Sequence, residues 1–443
     1  MQRIESSGWG RTLRSVSSEF KPGSIGELQD FIGRSQHSRG VIAHGLRRSY
    51  GDSSLNGGGV TVNTALLSDM FFREDSKSVT VGAGVSIRQL EVASLAQGLF
   101  PPVVPGTGSV SIGGAIASDI HGKSHHSTGS FSSCVKRIAL LYSNGEIRDV
   151  YPEGPTSEHF WATIGGLGLT GMILDADLQL ISMRTPSVLV EETRVENLDE
   201  MFSLLASSDQ KFQHTVAWID LSGDFRGRGI VGKGNYVDSE SSQTQSRPKI
   251  NGGISLPFPK SGGFSLINRY TVRAFNEMWF RKPLTNGISA IETFMHPLDK
   301  LQNWNRMYGE RGFLQYQFVV PEGDEDFIAH VLQVMKSLGA ASFLGVLKRF
   351  GQGSRGHLSF PTPGWTLALD IPAQIDNLEK ALNALDFKLC ERGGRIYLIK
   401  DARLKTDFVP VMYPRLEEWR SIRNNMDPRG MWQSDQSRRL KLC

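Results

Sequence analysis

Basic side chains are embedded in two glycine-rich stretches of this sequence. The stretches are "HGLRRSYGDSSLNGGG" (residues 44–59), with Arg47 and Arg48, and "LFPPVVPGTGSVSIGGAIASDIHGKSHHSTGSF" (residues 99–131), with His121 and Lys123. Glycine permits positive φ and a close approach of the backbone, so that successive N–H groups can converge on an anion. A single stretch of this kind is explained as well by a surface turn. Two such stretches with embedded cations indicate an anion site, such as one that grips a pyrophosphate from two sides.

Short strands and helices must position these two stretches. "GVIAHG", "GVTVNTALL" and "SVTVGAG" have the composition and alternation of strands. Ser24 with Glu27, and Ser86 with Gln89, form capping boxes that predict helices ending near Gln36 and Gly98. Asn144-Gly145 predicts the turn of a hairpin.

One glycine motif has the wrong context for its usual function. Gly166, Gly168 and Gly171 spell G-x-G-x-x-G, the fingerprint of dinucleotide binding. That fingerprint requires a strand before it and a helix after it. Here "EHFWATI" favours a helix and "MILDADLQL" alternates as a strand, so the motif indicates tight helix-to-strand packing instead.

Composition narrows the class of protein. A length of 443 residues predicts two or three domains, and a net charge of +4 is too diffuse to indicate nucleic-acid binding. The three cysteines are far apart, which favours neither a disulfide framework nor a zinc site and leaves a reducing compartment as the default. The sequence shows no secretory signal and no run of eighteen apolar residues, which predicts a cytoplasmic protein with at most peripheral membrane contact.

Several long motifs resemble the vanillyl-alcohol-oxidase-type FAD-linked oxidoreductases, and within them the decaprenylphosphoryl-ribose 2′-oxidases. The motifs are "GLRRSYGD", "VPGTGSVSIGGAIASDIHGKSHHSTGSF", "FWATIGGLGLTGMI", "FMHPLD", "GFLQYQFVVP", "SFLGVLKRFGQG", "LSFPTPGW", "GGRIYLIKDAR" and "MYPRLEEW". The resemblance covers nearly the whole chain. It implies an α+β, two-domain FAD-linked oxidase fold, with an FAD-binding α+β domain (1–185), an α/β substrate-binding cap domain (186–394) and a C-terminal return (395–443) that completes the FAD-binding domain.

The resemblance also implies which residues contact FAD. They are Gly45, Leu46, Arg47, Arg48, Ser49, Tyr50, Gly51, Asp52, Gly106, Ser111, Ile112, Gly113, Gly114, His121, Gly122, Lys123, Ser124, Ile173 and Tyr397. Some relatives attach the flavin to a histidine of the first glycine-rich stretch. Arg48 stands at that position and neither stretch contains a cysteine, so we expect non-covalent FAD.

For the reaction, the resemblance implies that Lys400 lies beside flavin and substrate and that His121 lines the pocket. Taken alone, Lys400 would be a solvated cation and His121 a structural hydrogen-bonding residue; "HGKSHH" could also suggest a metal, but no acidic or thiol group completes a site. Further pocket positions are Gln317, Lys348, Asp370, Ala368 and Met295. The family has a cysteine where Ala368 stands and a tyrosine where Met295 stands, which leaves the identity of the glycosyl substrate open.

The middle of the chain contains a polar run without periodicity, residues 232–263, which predicts a loop that is either a lid or disordered.

The function implied is FAD-dependent oxidation of a secondary hydroxyl of a sugar, namely the 2′-OH of a polyprenylphosphoryl pentose. The 2-keto product would be the first half of an epimerisation in cell wall polysaccharide biosynthesis, completed by an NAD(P)H-dependent short-chain reductase. The alternatives are an alditol or sugar-lactone oxidase that uses oxygen, and a catalytically silent flavin-binding subunit.

Overall fold

The computed structural model describes residues 1–34, 37–183, 185–222, 227–237, 256–258 and 265–443. Its first half contains a four-stranded sheet of order β1-β2-β4-β3 and a five-stranded sheet of order β5-β6-β10-β8-β9, while β7 pairs with β11. The strands are β1 (Gln2–Ser7), β2 (Arg14–Phe20), β3 (Val41–His44), β4 (Val60–Asn63), β5 (Met70–Arg73), β6 (Ser78–Gly82), β7 (Leu99–Phe100), β8 (Val135–Leu141), β9 (Ile147–Val150), β10 (Met172–Gln179) and β11 (Ile181–Ser182). The helices are α1 (Ile25–Arg34), α2 (Ile87–Ala96), α3 (Ile112–Ala117), α4 (His125–Thr128) and α5 (Ser157–Thr163), with 3₁₀ turns at Thr64–Leu66 and Phe131–Cys134.

The local signals of this half are largely confirmed. Ser86 and Gln89 form the full capping box of α2. At α1 the Ser24 hydroxyl accepts from the Glu27 N–H (3.1 Å), but the Glu27 carboxylate accepts from the N–H of Gly23 (2.7 Å) rather than from Ser24. The structure ends α1 at Arg34, and the predicted end near residue 36 lies outside the described residues.

The hairpin and the G-x-G-x-x-G segment also match their predictions. β8 and β9 pair in antiparallel fashion, and the intervening Gly145 has a φ of 85°. Helix α5 precedes the three glycines and strand β10 follows them, the reverse of the dinucleotide-binding order. A Cβ on Gly166 would lie 2.2 Å from the Ala162 carbonyl oxygen, which shows that this glycine serves close packing.

The middle of the chain forms an eight-stranded antiparallel sheet of order β16-β12-β14-β13-β19-β20-β18-β21. Its strands are β12 (Ser187–Val195), β13 (His214–Ile219), β14 (Gly229–Tyr236), β16 (Asn286–Ala290), β18 (Phe313–Val320), β19 (Gly345–Phe350), β20 (Gly364–Pro372) and β21 (Arg395–Ile396); β15 (Leu256–Pro257) pairs with β17 (Leu301–Gln302) outside it. The helices are α6 (Leu198–Ser208), α7 (Arg269–Arg281), α8 (Ile291–Met295), α9 (Glu325–Ser337) and α10 (Leu378–Glu391), with a 3₁₀ turn at Trp304–Tyr308.

The prediction of a loop from residue 232 is wrong at its start, because residues 232–236 belong to β14. This strand pairs with β12 on one side and β13 on the other, so ladder hydrogen bonds hold it. Its glycines obscured the alternation of side chains, yet they are needed: a Cβ on Gly229 would lie 2.1 Å from the Trp218 carbonyl oxygen. Most of the rest of the predicted lid or disordered loop, residues 238–255 and 259–263, lies outside the described residues.

The last part of the chain returns to the first half. It contains α11 (Val409–Met412), α12 (Leu416–Met426) and α13 (Asp435–Arg439), with 3₁₀ turns at Leu398–Lys400 and Thr406–Phe408. Trp432 forms a bridge with Val41, and the Arg439 guanidinium holds both carboxylate oxygens of Asp52 (2.7 and 2.9 Å). The domain boundaries at residues 185 and 394 stay a prediction.

Asp119 joins the first half to the middle of the chain. Its buried carboxylate accepts from Ser130 (2.9 Å), the Ser132 N–H (3.0 Å), Ser354 (2.6 Å) and Ser359 (2.5 Å). Because four donors surround one carboxylate, this joint fixes the second glycine-rich stretch against the eight-stranded sheet. Among the described residues, no helix is long and apolar enough to cross a membrane.

Candidate active site

A cavity of about 860 Å³ lies between the two glycine-rich stretches and the eight-stranded sheet. Most of the residues predicted from the sequence line it. They are Gly45, Leu46, Arg47, Arg48, Ser49, Tyr50, Gly106, Ser111, Gly113, Gly114, His121, Gly122, Lys123, Ile173, Gln317, Lys348, Ala368, Tyr397 and Lys400. The structure therefore brings together residues from all three segments of the chain.

Six predicted residues lie outside the cavity lining, namely Gly51, Asp52, Ile112, Ser124, Met295 and Asp370. Asp52 is held by Arg439, and a Cβ on Gly51 would lie 1.8 Å from the Asp401 carbonyl oxygen. Met295 acts through its backbone, because its carbonyl oxygen accepts from the Lys123 ammonium (2.8 Å). These positions shape the cavity from behind its wall.

The first glycine-rich stretch presents unpaired backbone donors. Within the described residues, no hydrogen bond uses the N–H groups of residues 46–49. Arg47 adopts a φ of 51°, and its guanidinium donates to the Glu19 carboxylate (3.0 Å) and the His44 ring (2.8 Å). Unpaired N–H groups around a residue with positive φ form the kind of nest that binds anions.

The second stretch approaches the first closely. A Cβ on Gly45 would lie 2.0 Å from the Ser111 hydroxyl oxygen, so a side chain there would push the two stretches apart. A Cβ on Gly106 would meet nothing within 4 Å. The N–H groups of residues 121–124 also have no hydrogen-bond partner in the described part of the chain. Of the residues with free N–H groups, 46–49 of the first stretch and 121–123 of the second line the cavity, which suits a pyrophosphate.

His121 stands at the centre of an aromatic group with Phe350, Phe360 and Tyr397. Its Nε2 accepts from the Gln317 amide at 3.1 Å, which leaves the proton of the neutral ring on Nδ1. Burial, with the nearby Lys348 ammonium, lowers the pKa of His121 well below its usual range, so the ring is neutral. Its Nδ1 is buried without a partner among the described residues, which makes it a donor for a bound ligand.

Three lysines face the cavity and have perturbed pKa values. Burial lowers the pKa of Lys400 to about 7, of Lys123 to about 7 and of Lys348 to about 8. The Lys348 charge lowers the pKa of the other two further, because the cations repel one another. Perturbed amines in a cavity are typical of sites that move protons.

Lys400 has a second set of neighbours, of which Tyr50 and Gln315 also line the cavity and Asp370 does not. Its Nζ lies 3.9 Å from the centre of the Tyr50 ring. The Gln315 amide donates to the Tyr50 hydroxyl (3.2 Å) and to Asp370 Oδ1 (2.6 Å). Burial raises the pKa of Asp370 to about 7, and the Asp370 charge in turn raises the pKa of Lys400 against the effect of burial. Lys400 and Asp370 thus form one protonation pair.

Ala368 and Gln317 are cross-strand neighbours on β20 and β18, and Ala368 also faces Val346 of β19. Lys348 follows two residues after Val346, so both lie on the cavity face of the sheet. The small side chain of Ala368 therefore lies in the same wall as Lys348 and Gln317.

Sequence reasoning missed the aromatic residues that line the outer part of the cavity. Phe275 and Trp279 of α7 stack with ring centres 5.9 Å apart, and Phe343 meets Phe275 edge to face. The Arg48 guanidinium lies over the Trp9 ring, 4.1 Å from the ring centre. The spacing of Phe275 and Trp279, four residues apart, indicates only that they share a helix face.

These features fit FAD. The volume is in the range of small-molecule and cofactor sites (~300–1,000 Å³). The free N–H groups suit a pyrophosphate, and the unpartnered Nδ1 of His121 can donate to an acceptor on the cofactor. In the described part of the protein, no group of three or more His, Cys, Asp or Glu side chains could hold a metal ion.

Comparison with known proteins agrees with this geometry. Residues 18–151 match the family model described as an FAD binding domain. The chain is 40% identical to decaprenylphosphoryl-β-D-ribose oxidase of Mycolicibacterium smegmatis, over 98% of this chain and 97% of the relative. It is 32% identical to an uncharacterized protein from the mprA 5′ region of Streptomyces coelicolor, over 81% of this chain and 100% of the relative.

A more distant relative is named for a different activity. D-arabinono-1,4-lactone oxidase of Yarrowia lipolytica is 26% identical over 44% of this chain and 39% of the relative. The full-length match and the FAD-binding region together decide the assignment. This chain belongs to the family of FAD-dependent oxidoreductases that includes decaprenylphosphoryl-β-D-ribose oxidase, and it is an enzyme that acts on CH–OH groups.

Proposed function

We propose that this enzyme holds FAD without a covalent bond and oxidises the 2′-hydroxyl of a polyprenylphosphoryl pentose to a 2-keto sugar. A separate NAD(P)H-dependent short-chain reductase would then complete an epimerisation. The observation that carries the proposal is the convergence of Lys400, Lys348 and His121 on one cavity with the two glycine-rich stretches.

The charges around the cavity support two anionic ligands, a dinucleotide and a phosphorylated substrate. The cationic lining residues are Arg47, Arg48, Lys123, Lys282, Lys300, Lys348 and Lys400, and the acidic ones are Glu192 and Asp299. Both acidic residues already have basic partners, since Glu192 binds Lys282 (2.5 Å) and Asp299 binds Arg88 (3.0 Å). Because Arg47 is also paired, with Glu19 (3.0 Å), the positive charge that favours phosphate groups comes mainly from Arg48, Lys300 and Lys348.

Lys400 is proposed as the proton acceptor. FAD, when bound, supplies the hydride acceptor. A carbinol carbon loses hydride readily only as its hydroxyl proton is withdrawn, and a group with a pKa near the working pH does this best. The Lys400 Nζ takes that proton and becomes an ammonium, which the neighbouring Asp370 carboxylate stabilises.

The other polar groups orient the substrate and hold charge. Lys348 has a pKa of about 8, so it is largely protonated at neutral pH and donates to an oxygen that gains negative charge. His121 is a donor through Nδ1, and Gln317 fixes the plane of its ring. Ala368 leaves room in the same wall for the sugar.

Non-covalent binding is proposed because Arg48 stands where some relatives have the histidine that is joined to the flavin. A guanidinium does not form that bond, and Arg48 lies over Trp9. The free cysteines, Cys134, Cys390 and Cys443, all lie outside the two glycine-rich stretches.

Anaerobic bleaching of the flavin tests the proposal. A polyprenylphosphoryl pentose should bleach the flavin at a rate that depends on Lys400, whereas free alditols and sugar lactones should not. A Lys405→Met variant is the matched control, because Lys405 lies on the same segment but is exposed. Bleaching by alditols or lactones alone, with rapid reoxidation by oxygen, would favour the oxygen-using oxidase instead. No bleaching by any of them would favour a catalytically silent flavin-binding subunit.

A lipid-linked substrate also requires contact with a membrane. We therefore propose peripheral membrane association, favoured by the net charge of +4.

A further inference from the structure

Helix α7 (Arg269–Arg281) has three distinct faces. Val272, Asn276 and Phe280 are buried, and the Asn276 amide anchors the helix by donating to the Asp220 carboxylate at 2.8 Å. Phe275 and Trp279 line the outer part of the cavity. The third face remains in contact with solvent among the described residues.

That third face carries two large exposed apolar side chains, together with the ion pair of Arg281 and Glu277. Tyr270 and Met278 are 68% and 63% exposed, and Ala274 lies between them on the same side of the helix. Leu266, just before the helix, is 50% exposed. Large apolar side chains that are exposed together mark an interaction surface more often than single ones do.

Basic residues border this face. They are Arg269 and Arg273, whereas Lys282 lines the cavity and is paired with Glu192, and the one acidic residue of the helix is Glu277. Glu277 is neutralised by ion pairs to Arg228 (2.7 Å) and to Arg281. A helix with an apolar face, aromatic side chains and a basic border is typical of helices that lie in the interface of an anionic bilayer.

The same helix connects this face to the cavity. Phe275 lines the cavity and is also 36% exposed, so the cavity reaches the surface beside Met278. A lipid-linked sugar could therefore enter the cavity while its chain remains in the bilayer.

We propose that α7, with Leu266, is the surface by which this enzyme docks on an anionic lipid bilayer, with the mouth of its cavity facing the lipid. Tyr270 and Met278 enter the apolar layer, and the basic border binds the headgroups. The inference rests on the proposed function for the lipid-linked substrate, and it adds the surface that receives it.

Vesicle sedimentation with the full-length, FAD-loaded enzyme tests the docking. We expect binding to vesicles of phosphatidylcholine with phosphatidylglycerol, and weaker binding to phosphatidylcholine alone. Burial of an apolar side chain from an exposed position strengthens binding by about tenfold, so Met278→Ser and Tyr270→Ser should each weaken binding to that extent. Arg273→Gln should weaken binding about fivefold, and only to the anionic vesicles.

Phe71→Ser and Phe387→Ser are the matched controls, since these side chains are 63% and 56% exposed on other elements. They should bind vesicles as the parent enzyme does. Retained flavin absorbance and an unchanged melting temperature should show that each variant is folded. The inference is overturned if the parent enzyme does not bind anionic vesicles, or if the α7 variants bind like the controls. It is also overturned if Met278→Ser converts a lipid-free dimer into a monomer, since a second copy would then cover the face.

Flavin bleaching separates this inference from the proposed function. The α7 variants should be bleached normally by a short-chain analogue in solution and more slowly by the long-chain substrate in vesicles. Vesicle binding without bleaching by any glycosyl phosphate would refute the proposed function but keep the surface. Equal loss of bleaching with both substrates would refute the surface.

Discussion

Replacing Lys400 tests the chemistry most directly. Burial lowers the pKa of its amine from 10.5 to about 7. At pH 7 roughly half of the amine is then unprotonated, compared with about one in three thousand for a lysine in water. The protein therefore raises the supply of free base by about 10³-fold, and Lys400→Met removes it. We expect the rate of flavin reduction to fall by about 10²-fold or more, since this is the usual contribution of a proton-transfer group.

The pH dependence gives a second readout of the same residue. A base must be unprotonated to act, and the unprotonated fraction grows as the pH rises through the pKa. In the parent enzyme the rate of flavin reduction should therefore rise with pH through about 7 and level off above it. In Lys400→Met this rise should disappear.

The assay is anaerobic stopped-flow flavin reduction, with the variant saturated with FAD and the substrate in excess. Lys405→Met controls for the loss of a positive charge on this segment, and its rate should stay normal. A near-normal rate in Lys400→Met, or a pH profile unchanged from the parent enzyme, would refute the role of Lys400 as the base.

Four further results are expected. Asp370→Asn should shift the midpoint of the pH profile to lower pH, because the Asp370 charge raises the pKa of the Lys400 amine; a shift to higher pH would contradict the pairing. Acid precipitation should release FAD into the supernatant, and flavin that stays with the polypeptide would disprove non-covalent binding. Ala368→Cys should add one thiol adduct, besides that on the exposed Cys443, that substrate protects against; an unprotected adduct would place position 368 outside the pocket. Asp52→Asn should lower the free energy of unfolding by about 2 kcal/mol in denaturant titrations, whereas Asp30→Asn, in an exposed ion pair, should change it by less than about 0.5 kcal/mol; equal effects would deny a special role for the buried pair.

Features determined by neighbours in sequence could be predicted well. The capping box at Ser86, the turn at Gly145 and the helix-then-strand order around Gly168 all depend on a few adjacent residues, and the structure confirms them. Strand β14 was not predicted, and a loop was predicted from residue 232, because ladder bonds to two neighbouring strands determine this strand more than its side chains do.

Residues of the candidate site could be predicted only where they belong to a motif that resembles the family. Lys400 alone would be a solvated cation, and its position beside Tyr50 comes from packing between residues 350 positions apart. The amide of Gln315, which joins Tyr50 to Asp370, gives no signal of its own in the sequence. The outer wall formed by α7 is likewise a tertiary feature. The spacing of Phe275 and Trp279 in the sequence indicates only a shared helix face, whereas the structure places both in the cavity lining.

The clamp between Arg439 and Asp52 has a consequence for biosynthesis. A ribosome that has made the first 400 residues has already released the first glycine-rich stretch, but not the strand partner Trp432 or the guanidinium that fixes Asp52. The strands of the eight-stranded sheet all lie before residue 397 and leave the ribosome before Trp432 and Arg439, so this sheet can form while the first glycine-rich stretch is still unclamped. A chain that loses residues 432–439 to a protease would therefore lose the partners of both Val41 and Asp52, at the two ends of the segment that carries the first glycine-rich stretch.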